Sequence, residues 1–544
     1  MNAFLILSAF LPLLIVILCM LVFNRPAKEA LPLGWFVSLL TALFVWRQDL
    51  SAALAWAADG FLDSLGVLFI IFGAILVMNT LKASGAMKNI ERMFFNINPD
   101  RRIQVILVGF LFSAFLEGAA GFGTPAAIAA PLLIGLGFPH LCAAMLCLIF
   151  NSVPVSFGAV GTPTIVAAQI AGEQAARSGD TAAGFLQQLA SLTAAGHALC
   201  CPFIMGLGLF LMCRIFGKPR RGRDAFPAFP FMLFAAVVFD ISYFATAFFF
   251  GPEFPSLCGS LLTLLVTVPA AKKRFLCPKT NWDFPSARAS QPSAAPAVSR
   301  AAFVKAWIPY TLIGLILVIT RLNLFGLKTF LTSQSLTFSL RGIFGVEGVD
   351  WKWNWGWCPG LMPFIFVCVI AFLLFRMPRK QILQTVGDTF RLCRGAFIAL
   401  CFGISMVYLY RHTDFRSAYN ESMLLVMARF MAELFRSAYI LVAPLLGVLG
   451  AFMSGSNAVS NTLFTGLQYN TAKLVNLSAV AVVALQNIGG AAGNMICINN
   501  IVAVCATTKT IGHEGKLIRL NLIPCAIYCL LALTAVCLCQ SLFL

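Results

Sequence analysis

The residues best able to do chemistry in this chain fall in four short stretches. FLEGAAGFG (115–123), continued by TPAAIAAPLLIGLGFP, sets one acid, Glu117, among Gly118, Gly121, Gly123 and Thr124 at the end of an apolar run. NSVPVSFGAVGTPT (151–164) carries Asn151, Gly158, Gly161 and Thr162. FMSGSNAVSNTLFTGLQYN (452–470) carries Ser454, Ser456, Asn457, Ser460 and Asn461, and QNIGGAAGNMICINN (486–500) carries Asn487, Gly490 and Asn494. Glycine, proline and small polar residues inside apolar surroundings suit helices that break or re-enter within a bilayer, where freed N–H and C=O groups must face a cavity. Half-helix N-termini meeting there carry partial positive charge and open donors, so they can hold a small carboxylate. The residues just named are the expected substrate contacts, with Gly118–Gly123 and 454–461 as the helix ends and 158–162 and 489–494 facing them.

Glu117 is the expected proton-coupling residue. In a low-dielectric setting a carboxyl group can carry a proton and give it up as the site opens to either side. Its alternative role is to accept hydrogen bonds from the broken backbone around it. Any single glycine here is better explained by close helix packing; the four-part set with its polar residues favours a site. Asp63 and Asp240 are the other acids in apolar runs, Asp63 reading as interfacial and Asp240 lying outside the repeats described below. No Lys or Arg falls inside the four stretches, and Arg321, Arg394 and Arg411 sit at helix ends, where snorkelling explains them.

The elements that must position these residues are membrane helices. Of 544 residues 60% are hydrophobic and 11% charged, and the mean hydropathy is +0.89. Runs of about 20 apolar residues suffice to cross a bilayer, and such runs recur from 3–23 to 520–544. The first lacks a basic start and a small-residue cleavage site and reads as a helix rather than a signal peptide. The net charge of +18 does not indicate nucleic acid, because 22 of the 38 Lys and Arg lie in four loops, 82–102, 214–224, 271–305 and 376–394. That asymmetry places those loops in the cytoplasm. The eighteen cysteines show no C-x-x-C pair, and the four histidines (His140, His197, His412, His513) no ligand spacing. Packing and ordinary polar roles are expected for them, with no metal and no cofactor. The WKWNWGW segment ending at Trp357 reads as a membrane-interface belt.

The two halves echo each other. SAFLEG (113–118) matches GAFMSG (450–455), and GAVG (158–161) matches GAAG (490–493). With the basic loops inside, the first motif follows a cytoplasmic loop and the second follows 411–436, which then lies outside. The expected fold is therefore an all-α polytopic membrane protein of about 12–16 hydrophobic segments, in two inverted-topology repeats whose broken or re-entrant helices meet near the midplane. Residues 1–224 form the first repeat, 225–270 a two-helix insertion, 271–303 a cytoplasmic, partly disordered loop, and 304–544 the second repeat.

FLEGAAGFGTPAAIAAPLLIGLGF, the 151–164 stretch, GPEFP (251–255), GSNAVSNTLFTGLQ and GGAAGNMICINNIVAV (489–504) closely resemble the lactate permease family, from INPDRR (97–102) to IGHEGK (511–516). The resemblance implies import of L-lactate, D-lactate and glycolate with protons across the inner membrane of a bacterium. The partners it implies are a small carboxylate, protons and the lipid bilayer, with a homo-oligomer open. The chain departs from some members at Asn457 (Asp there), Asn494 (Lys there) and Ile498-Asn499 (often Pro-His). Sodium coupling and another small organic anion are the alternatives within carriers. A pump lacks its nucleotide loop, a channel fits the buried acid less well, and an intramembrane enzyme would need a pair such as Ser454 and His197 to meet.

Overall fold

The computed structural model describes residues 3–23, 25–93, 97–121, 124–177, 182–284, 299–321, 326–358 and 360–543. Most of the expected disordered loop, 285–298, and also Phe122 and Gly123 lie outside these residues. Among the described residues, twelve helices are long and apolar enough to cross a membrane. Shorter apolar helices lie at Pro125–Gly135, His140–Asn151, Val304–Ile316 and Leu361–Leu374. The apolar run 141–170 is two pieces: His140–Asn151 and the helix Gly158–Arg177, joined through a 3-10 turn at Val155–Phe157.

Two helices of 34 residues, Leu50–Ala83 and Arg379–His412, form an antiparallel pair. At 1.5 Å per residue each is about 50 Å long, more than a bilayer core. They approach to backbone distance because Gly60 has no side chain: a Cβ there would stand 2.6 Å from Ser405 Cα. Ser405 Oγ donates to the Ala57 carbonyl (2.8 Å) and accepts from Trp35 Nε1 (2.7 Å). At one end of the pair Gln381 Nε2 donates to the Ala83 carbonyl (2.7 Å). At the other, Gln48 Nε2 donates to the His412 carbonyl (2.6 Å).

Hydrogen bonds gather the basic loops on one face. Arg102 Nη1 donates to the Asp224 carbonyl (2.6 Å) and Nη2 to the Thr280 carbonyl (3.0 Å). Asn98 Nδ2 reaches the Ala271 carbonyl at 2.9 Å. The segment after His412 joins the opposite end of the long helices, where Asp49 N–H donates to the Arg416 carbonyl (3.0 Å) and Trp46 Nε1 to that of Glu421 (2.8 Å). The tryptophan segment is no simple belt. It folds as an antiparallel hairpin, Thr337–Leu340 with Trp351–Asn354. Trp353 stacks on Phe69 (centroids 5.3 Å apart) over Gly66, whose missing side chain makes the room.

Each of the four stretches is a break in helix. Ser113–Ala120 ends at Gly121 with φ 61° and ψ −157°, and a new helix starts at Thr124. Ala159, Val160 and Gly161 all have positive φ (41°, 56° and 74°) inside Gly158–Arg177. For a β-branched residue such as Val160 that is a strained conformation, of the kind found where structure serves function. Tyr439–Ser454 ends at Gly455 in the left-handed region (φ 79°), and Asn457–Leu474 begins with the Ser456 hydroxyl accepting from Val459 N–H. Ala479–Gly493 and Ile498–Thr508 are separated by a turn at 494–497.

Candidate functional site

The four breaks meet around one cavity. It is lined by Glu117, Gly121, Val155, Gly158, Ala159, Pro163, Gly455, Ser456, Asn457, Ala458 and Asn494, and encloses about 20 Å³. Two helix starts open onto it, the one at Ser456–Asn457 and the one that follows the Ala159–Gly161 kink.

Glu117 is 2% exposed. Asn151 Nδ2 donates to its Oε2 (2.9 Å), while its Oε1 lies against Gly158. Among the described residues no Lys or Arg lines the cavity. Gly118 faces away: a Cβ there would enter the backbone of Ser256 and Leu257, so this glycine seats the broken helix on the 255–259 turn. Gly161 likewise lies against the Pro252 carbonyl, in GPEFP. Thr162 Oγ1 donates to the Ala159 carbonyl (2.6 Å) and so secures the kink.

Behind the cavity runs a polar network centred on Asn487. Its Oδ1 accepts from Asn457 Nδ2 and Asn461 Nδ2, both at 2.9 Å, and its Nδ2 donates to Thr164 Oγ1 (2.8 Å). Asn461 Nδ2 also reaches the Pro163 carbonyl (3.0 Å), binding the helices Asn457–Leu474 and Gly158–Arg177 together across the site. Asn457 Oδ1 is buried with no donor among the described residues and sits beside Gly490. Ser460 Oγ donates to the Gly447 carbonyl (2.8 Å) and accepts from Gln486 Nε2 (3.1 Å), a packing role. Ser454 Oγ is turned to the carbonyls of Gly450 (2.7 Å) and Ser456 (3.0 Å).

Of the residues expected from sequence, Glu117, Gly121, Gly158, Ser456, Asn457 and Asn494 line the cavity. Asn151, Thr162, Asn461, Asn487 and Gly490 stand directly behind them, and Gly118, Gly161, Ser454 and Ser460 shape the breaks from outside. Gly123 and the Thr124 side chain lie outside the described residues.

Sequence reasoning gave His197 an ordinary polar role and passed over Ser156. His197 is fully buried, its Nε2 2.8 Å from Ser156 Oγ and its Nδ1 2.6 Å from Tyr528 OH. Ser156 Oγ donates onward to the Asn487 carbonyl (3.2 Å), which assigns the ring proton to Nε2 and ties the histidine to the network. His197 and Ser454 therefore form no nucleophile–base pair. Asp240 faces Cys201, away from the cavity. Two readings change. Arg411 does not snorkel: it is 4% exposed and turned inward. Asp63 is not simply interfacial, since Tyr408 OH and Gln169 Nε2 (3.2 Å) both donate to its Oδ2.

Membrane-spanning helices that break around a small polar cavity define a multi-pass membrane transporter. A family model described as L-lactate permease matches residues 5–543, and the chain belongs to that family. A Haemophilus influenzae relative, provisionally named an L-lactate permease, is 33% identical over 97% of each chain. The L-lactate permease of Salmonella typhimurium is 30% identical, covering 89% of this chain and 86% of its own. Glycolate permease GlcA of Escherichia coli is 28% identical, covering 94% and 91%. The protein is a multi-pass transporter of a bacterial inner membrane, not an enzyme.

Proposed function

We propose that this protein imports lactate and the related 2-hydroxy monocarboxylate glycolate by proton symport, with the substrate in the cavity where the four breaks meet. The observation that carries this reading is the placement of a buried acid, Glu117, on the wall of a small cavity that two helix N-termini enter. The carboxylate of the substrate takes the N–H groups of Asn457 and Ala458 at the start of Asn457–Leu474, with the positive end of the helix after Gly161 beside it, which favours an anion without a fixed cation. The 2-hydroxyl supplies the donor that Asn457 Oδ1 lacks. The cavity encloses about 20 Å³, room for about one water, so the helices around it must part to admit lactate, as alternating access requires.

Glu117 carries the coupling proton. Protonated, it removes a negative charge from beside the anion; ionised, it repels the anion, so proton and substrate travel together. Residues 1–224 and 304–544 act as inverted repeats that expose the cavity to alternate sides, with the 225–270 insertion bracing the first through Ser256, Leu257 and Pro252. The names borne by the relatives, L-lactate permease and glycolate permease, support the substrate class.

The test is uptake of labelled L-lactate by purified protein in liposomes, driven by an inward proton gradient and competed by glycolate, D-lactate and a dicarboxylate. Accumulation abolished by a protonophore and competed by glycolate is the expected result. Accumulation driven by sodium alone, or competition by the dicarboxylate only, would overturn it.

A further inference from the structure

A second group of buried charges lies apart from the cavity, at the end of the long helix pair opposite the basic loops. Asp59 and Asp63 sit one turn apart on Leu50–Ala83. Facing them from Arg379–His412 are Tyr408, Arg411 and His412. Gln169 approaches from Gly158–Arg177, and Trp351 of the hairpin covers the group beside Asp63. Asp350 and Asp414, the remaining acids nearby, are exposed and screened by solvent.

The hydrogen bonds sort the charges. Asp63 Oδ2 accepts from both Tyr408 OH and Gln169 Nε2, the arrangement of an ionised carboxylate. Arg411 stacks its guanidinium on the Tyr408 ring (4.7 Å) within electrostatic reach of both aspartates. Arg411 Nε donates to His412 Nε2 (3.1 Å), so that nitrogen is an acceptor and the imidazole neutral. The same ring stacks flat on Trp56, 3.4 Å away. One arginine therefore faces two acids. Asp59 is 6% exposed and has no hydrogen-bond donor among the described residues. A buried carboxylate with neither donor nor counter-charge of its own is costly, and a proton removes the cost. A metal cation would be opposed by Arg411, and no three His, Cys, Asp or Glu side chains group to hold one among the described residues.

We propose that Asp59 is a second proton-carrying group, on the outer side of the membrane, and that Asp63 and Gln169 tie its charge to the helix that leaves the central kink. When Asp59 ionises it competes with Asp63 for Arg411. The Asp63–Gln169 bond then transmits the change to Gly158–Arg177, whose first turn lines the cavity. The long pair makes a stiff reference for this motion because its backbones touch at Gly60 and Ser405. The link to lactate rests on the function proposed above; proton binding by Asp59 does not.

The test has two arms. Infrared difference spectra of the purified full-length protein, taken without substrate from mildly acid to mildly alkaline pH, read protonated carboxyl groups directly. Asp59→Asn removes one titrating carboxyl band and Glu117→Gln a different one; an Asp59→Asn spectrum identical to wild type overturns the assignment. In liposomes, Asp59→Asn and Gln169→Leu keep lactate–lactate exchange, while their driven uptake loses its dependence on outer pH. An unchanged pH profile in Gln169→Leu overturns the tie to the helix. Should Asp59→Asn not fold, Asp59→Glu keeps the acid and shifts the band, and an unshifted band counts against Asp59. Loss of the band in a protein that moves no lactate would leave the proton site standing and remove only the substrate reading.

Discussion

The Glu117 carboxyl group rests on the bare Cα of Gly158: a Cβ built there would stand 3.1 Å from Glu117 Cδ and closer still to Oε1. Two residues from separate breaks thus define one wall of the cavity by the absence of a side chain. Gly158→Ala forces the acid off Asn151 or into the cavity, at a cost of about 1–3 kcal/mol for overpacking. Driven lactate uptake is expected to fall sharply with the protein still folded. Gly206→Ala is the control, because its Cβ would meet Met232 and Phe229 at an ordinary 3.6 Å; equal losses in both would contradict the argument.

Asn487 holds three side chains in place at once. Asn487→Ala removes one hydrogen bond each from the Asn457 and Asn461 amides and Thr164 Oγ1, which keep the carbonyls of Asn487, Pro163 and Ser156, at a cost of about 0.5–1.5 kcal/mol per bond. The expected outcome is a lower unfolding temperature together with a raised KM for lactate. A raised KM with unchanged stability would mean Asn487 acts on substrate rather than through Asn457.

On the face that gathers the basic loops Arg102 is a buried latch. It pairs with both oxygens of Asp100 (3.0 and 2.6 Å) and holds the Asp224 and Thr280 carbonyls. Arg102→Ala leaves Asp100 buried and unpaired, a loss of about 3–5 kcal/mol. Arg102→Met combined with Asp100→Asn is expected to recover part of that loss, since no lone charge then stays behind. Thermal unfolding of the three proteins decides it, and a double variant no better than Arg102→Ala would contradict the account.

What could be read from sequence was set by local chemistry. A helix that breaks in lipid needs glycine or proline for the turn and polar groups for the freed backbone, so 115–123, 151–164, 452–470 and 486–500 announce themselves, and all eleven residues that line the cavity come from them. What could not be read depends on contacts between distant segments. Arg411 ends an apolar run and looks like an interfacial residue, but the chain after it folds back through Gln48 and Asp49 and keeps it inside. Asp59 gains meaning only from Arg411 on the partner helix, and His197 only from Ser156 and Tyr528. The tryptophans read as a belt because their spacing is visible and their hairpin pairing with Thr337–Leu340 is not.

The most direct measurement follows protons rather than lactate. Liposomes holding the purified protein and a trapped pH-sensitive dye are given external lactate with no starting pH difference, the membrane potential being clamped. The account predicts that the lumen acidifies in step with lactate entry in the wild type. In Glu117→Gln it predicts no acidification, while labelled lactate still exchanges across the membrane. Lactate entry without acidification in the wild type, or acidification at the wild-type rate in Glu117→Gln, would contradict it.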